Sequence, residues 1–90
     1  MQNEKNPLVE GTPVLIRTVT HYYTGRVVAV SDADILLEDA AWITDTGRFN
    51  AALVKGDLEE VEPFPDPVLV NRGAVVDITR WAHDLPRAVK

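Results

Sequence analysis

The sequence predicts a mainly β fold of five short strands with one helical insertion between the third and the fourth. Three observations carry that reading. Apolar and β-branched residues cluster in runs of strand length, Gly, Pro, Asp and Asn punctuate those runs, and only one interval has helical spacing.

The first strand is "PVLIRTV", with Pro13 at its entrance, where a missing backbone donor matters least. The second is "YYTGRVVAVS", Tyr22 to Ser31, expected to turn Val28 and Val30 to one side and Val27 and Ala29 to the other. Gly25 inside it predicts a sharp bend or a bulge, because glycine otherwise weakens a strand. "SDAD" at Ser31 to Asp34 makes a compact turn, and the third strand runs through "DILLEDAAWI". In "TDTGRFNAALVKG", Asp45 or Thr46 is the expected helix cap. Phe49, Ala52 and Leu53 form the apolar face, and Gly56 is the stop. "DLEEVEPFPDP" is acidic and then proline-rich, which predicts an extended surface connection. "VLVN" and "AVVDI" are the last two strands, hinged at Asn71-Arg72-Gly73, with Gly73 expected in a left-handed turn. In the tail "TRWAHDLPRAVK", Trp81 and Leu85 are the residues able to dock on a surface.

Ninety residues make a single domain, 1–90, that buries roughly 60% of the surface its unfolded chain would expose. A core that thin is helped by a partner or by self-assembly. The 46% hydrophobic and 26% charged composition argues against disorder. There is no cysteine, which excludes disulfides and thiolate metal sites and makes a reducing cytoplasm the natural compartment. The polar start "MQNEKNPLVEG" has no apolar core to act as an export signal, and no later run is long enough for a membrane span, so no membrane partner is expected. Fourteen acidic against nine basic residues give a net charge of -5, so a nucleic-acid ligand would need a locally basic surface.

Two motifs in this order resemble the Sm-like superfamily, which includes bacterial RNA chaperones. Val14, Ile16, Gly25, Val27, Asp32, Leu37, Asp39 and Ala40 follow the order of the first Sm motif, in region 13–44. Val68, Val70, Arg72, Gly73, Val76 and Ile78 follow that of the second, in region 67–79. The helical and acidic-proline insertion, 45–66, and the tail, 80–90, are additions that bring the chain nearest to phage-associated Sm-like proteins. The resemblance implies a strongly bent five-stranded antiparallel sheet closing into a small barrel. It also implies a homo-oligomeric ring of about five to seven subunits, made by pairing strand four of one copy with strand five of the next.

In that family RNA bases sit at the turn after strand two and the turn between strands four and five. The resemblance thus marks Asp32, Asp34, Arg72 and Gly73 as ligand-binding candidates. The match departs at the chemistry itself, because Asp34 stands in place of the family's Asn and no aromatic is evident to stack on a base. Two roles are open for Arg72: ligand contact, or an ion pair with Asp32 or Asp34, within one subunit or between two, that compensates its charge within a central pore.

No other pattern carries chemistry. His21 beside Tyr22 and Tyr23 reads as strand packing, and His21 and His83 lack metal-ligand spacing. The carboxylates of "LEDA" and "DLEE" have no nucleophile or base beside them, the five glycines are scattered, and Trp42 and Trp81 are expected to anchor the helix and tail. No catalytic residue, metal site or cofactor is expected. The reading is a non-enzymatic structural or adaptor ring, of phage or mobile-element origin, with the insertion or tail recruiting another protein. The alternative is a weakly RNA- or nucleotide-binding ring.

Overall fold

The computed structural model describes residues 5–90; the first four positions of the polar amino-terminal stretch lie outside the described residues. Six strands form one antiparallel sheet: β1 Pro13–Thr18, β2 Tyr22–Val30, β3 Asp34–Asp45, β4 Glu60–Pro63, β5 Val68–Asn71 and β6 Val75–Arg80. A helix, α1 Phe49–Lys55, lies between β3 and β4, and a 3₁₀ turn, Arg72–Ala74, joins β5 to β6. The hydrogen-bonded order is β4-β3-β2-β1-β6, with β5 on β3 as well.

The sixth strand corrects the expected count of five. In sequence "EVEP" reads as part of a surface connection because its acids and prolines mask a half-buried alternation, in which Val61 is buried between exposed Glu60 and Glu62. β4 and β5 both lie along one edge of β3: Ala41 to Asp45 pair with β4, and Asp34 to Leu37 with β5. The prolines are confined to the end of β4 and the bend between the two strands, where no ladder donor is needed.

A bulge makes this geometry. Thr24 pairs with Ala41 and Arg26 with Glu38, so Gly25 alone opposes Asp39 and Ala40. Asp39 has φ 48°, the left-handed region that a short polar side chain tolerates. The extra residue shifts the alternation of β3. Ile35 and Leu37 share a core with Ala40, whereas Ala41 and Ile43 face the opposite side. Gly25 is required by the close approach, since a Cβ there would come to 3.0 Å from the Leu37 Cβ.

The sheet therefore curls around one core and carries a second on its outer face. The inner core joins Val14, Ile16, Val27, Ile35, Leu37, Ala40 and Val70. The outer one joins Leu15, Ala41, Ile43, Ala52, Leu58, Val61 and Trp81. β1 is buried on both faces. On β2, Val27 is buried while Ala29 and Val30 are exposed, so the expected apolar character of both faces fails at its end, where the register shifts again.

α1 begins at Arg48 without a side-chain cap; the Asp45 carboxylate instead accepts from the Gly47 amide, and the Thr46 hydroxyl donates to the Gly47 carbonyl. Gly56 ends the helix at φ 78°, its amide donating to Ala52 O. The tail then seals the outer face. Trp81 is 3% exposed and donates from Nε1 to Asp84 O, and the His83 ring reaches Leu53 O at 2.8 Å. Arg87 bridges the carbonyls of Ala40 and Phe64, clamping the bulge to the bend after β4. Val61 and Lys90 exchange two backbone hydrogen bonds on the outer edge of β4. Trp42 plays no such anchoring part and is 39% exposed.

No ladder among the described residues joins β5 to β6, so the sheet is open in its hydrogen bonding. The 3₁₀ turn carries the chain from the β3 edge to the β1 edge, which parts the two strands instead of pairing them as a hairpin. Among the described residues no helix is long and apolar enough to cross a membrane.

Candidate functional site

The two turns that carry the sequence-predicted residues meet at one end of the sheet. Ser31 organises the first turn: its hydroxyl accepts from the Ala33 and Asp34 amides and lies 3.1 Å from Asp34 Oδ1. Asn71 organises the second, its Oδ1 accepting from the Gly73 amide at 2.8 Å. Arg72 ties the two together, donating from its amide to Ala33 O at 3.0 Å and from Nη1 to Ser31 O at 2.8 Å.

One of the roles left open is narrowed here and one expectation is corrected. Within the chain Arg72 makes no ion pair with Asp32 or Asp34; its guanidinium is held by the Ser31 carbonyl, and the Asp34 carboxylate is turned to the Ser31 hydroxyl. Gly73 is not left-handed; a 3₁₀ turn needs no positive φ. What favours glycine is space, since a Cβ would stand 3.1 Å from Asn71 Oδ1. Asp32, Arg72 and Gly73 are all exposed, and Asp34 is half-buried.

The gap between β5 and the β1–β2 turn is a cleft of about 340 Å³ whose lining includes Thr18, His21, Tyr23, Leu69, Asn71 and Ala74. His21 sits at its wall. Its Nδ1 is 2.7 Å from the Thr20 hydroxyl, its Nε2 is buried without a partner, and burial pushes its pKa below the ordinary imidazole value. No protein-family model matches the chain, and no curated protein matches it. The site must therefore be read from its own chemistry. Among the described residues no group of three or more His, Asp or Glu side chains is placed to hold a metal ion.

Sequence reading missed an aromatic array. His21 meets Tyr23 and Trp42 edge-on, with centroids 4.9 and 5.2 Å away, and Tyr23 stacks on Phe64 at 6.0 Å. Strand register builds it: Ile78, Ile16, Tyr23, Trp42 and Glu62 lie side by side across five strands. The one sequence cue to it was Gly25, since the bulge opposite that glycine shifts the alternation of β3 and leaves Trp42 on the face opposite Ala41 and Ile43.

The outer edges of β5 and β6 are the remaining feature. Among the described residues β6 ends the strand order and β5 pairs with β3 alone, while exposed Leu69 and Val76 stand on them at 61% and 53%. The outer edge of β4, by contrast, is met by Lys90.

Proposed function

We propose that the chain is a non-enzymatic Sm-like protein that assembles into a closed homo-oligomeric ring with a structural or adaptor role. The observation that carries this reading is that, among the described residues, no strand lies on the outer edge of β5 or on that of β6 along Val75 to Ile78. An unpaired edge offers a row of backbone donors and acceptors to another strand, and neither β5 nor β6 carries a lysine to deter pairing. One edge is the end of the strand order and the other lies on β3, so they are different surfaces. Pairing β5 of one copy with β6 of the next is thus head-to-tail, and a head-to-tail contact closes into a ring when its rotation allows. Closure would also cover Leu69 and Val76. Of the insertion and tail, which the sequence offers as recruiting elements, Ala52, Leu58, Val61 and Trp81 pack into the outer core, while Phe49, Val54, Glu60 and Glu62 stay exposed and open to an adaptor role.

RNA binding is the second reading, favoured by the exposure of Arg72 at the meeting of the two turns. Asp32 and Asp34 in the facing turn and the net charge of -5 weigh against phosphate there. The experiment is a salt titration of binding to a short uridine-rich RNA, with the absorbance ratio of the purified protein as a companion. The proposal expects protein free of nucleic acid and weak binding that falls steeply with salt. Tight, salt-resistant binding that is lost in Arg72→Ala at unchanged mass would overturn it in favour of the RNA reading.

A further inference from the structure

We infer that the exposed face around Trp42 is a docking surface for an arginine-bearing segment of a partner protein. This goes beyond ring assembly, because Trp42 and Thr44 lie on β3 and Glu60 and Glu62 on β4, and none of them belongs to β5 or β6. Trp42 is 39% exposed, a large aromatic surface facing solvent. Glu62 lies directly opposite it on β4. Thr44 and Glu60 extend the same face, the Thr44 hydroxyl being 3.4 Å from Glu60 Oε1. Trp42, Thr44, Glu60 and Glu62 are all exposed, and no arginine or lysine pairs with either glutamate among the described residues.

The ligand class follows from charge complementarity. An indole ring attracts a cation over its face, and the adjacent carboxylates add a second attraction of the same sign. A guanidinium satisfies both demands at once: it stacks flat on the indole and presents a fork of N–H donors to a carboxylate, whereas an ammonium is a more strongly hydrated point charge. A phosphate-bearing ligand meets repulsion from Glu60 and Glu62. Behind Trp42, the edge contact from the His21 ring restrains the indole, which limits the freedom lost on binding.

The test is a titration, followed by two-dimensional NMR, with a synthetic Gly-Ser peptide carrying three arginines. Matched peptides carry lysine or the neutral isostere citrulline. The inference expects saturable shifts centred on Trp42 and Glu62, tighter binding of arginine than of lysine, and none of citrulline. Trp42→Ala should weaken binding about five-fold and Glu62→Gln about three-fold, with unchanged mass and circular dichroism. Absence of saturable binding, or binding indifferent to both substitutions, overturns the inference. So does uridine-rich RNA shifting the same resonances, or a fall in mass in Trp42→Ala, which would give this face to a second copy. Failure of ring assembly itself appears as a single-chain mass in the unsubstituted protein and leaves the peptide result readable.

Discussion

The Arg72 guanidinium donates from Nη1 to the carbonyl of Ser31 at 2.8 Å, fastening the turn before β6 to the turn after β2. A charge for which the sequence leaves open a ligand or a carboxylate is held, within the chain, by a backbone oxygen. Replacing Arg72 with alanine removes one charge-assisted hydrogen bond at an exposed position. The fold should survive, as judged by circular dichroism. Stability at fixed protein concentration should fall by about 1 kcal/mol in chemical denaturation.

Gly25→Val tests the bulge. The new Cβ would crowd the Leu37 Cβ at 3.0 Å and the Ala40 Cβ at 3.3 Å, both in the inner core. Overpacking of this kind costs about 1–3 kcal/mol. A denaturant midpoint equal to that of the unsubstituted protein would mean that the sheet does not close so tightly there.

What the sequence made legible was whatever rests on local chemistry. β-branched runs marked β1, β2, β3, β5 and β6, Gly25 announced a bulge, and Gly56 stopped α1 with the φ that glycine permits. What stayed hidden depends on residues distant in sequence. β4 exists because Val61 finds the outer core, and nothing in its acidic surroundings says so. Trp42 and Trp81 look alike in sequence, yet a register shift exposes the first and the tail buries the second. The two candidate turns could be placed in order from sequence, but not the carbonyl that takes the Arg72 donor.

Trp81→Ala should be the most damaging of these substitutions. It empties a site in the outer core and removes the bond from Nε1 to Asp84 O. Truncating a buried tryptophan costs about 3–5 kcal/mol. Hydrogen exchange should accelerate at the Lys90 and Val61 amides, which bond each other's residue.

Stability should depend on pH through His21. Burial holds its pKa in the fold below the ordinary value of 6.5, so as pH falls the unfolded chain takes up the proton first. The stabilising contribution of the neutral ring is complete above that value and is lost as pH drops through it toward the lower folded-state value. Asp39, lowered from 3.8 by the hydrogen bond from Arg26, acts in more acid solution. Denaturant midpoints should therefore fall between pH 7 and pH 5, and His21→Asn should flatten that slope.

The edge-paired ring is tested most directly by the mass of the protein in solution, measured by light scattering at low micromolar concentration. The expected mass is several times the single-chain 10.0 kDa. It should fall toward one chain in Val76→Lys, which places a charge at a 53% exposed position on the outer side of β6. A clean single-chain mass for the unsubstituted protein would contradict the account.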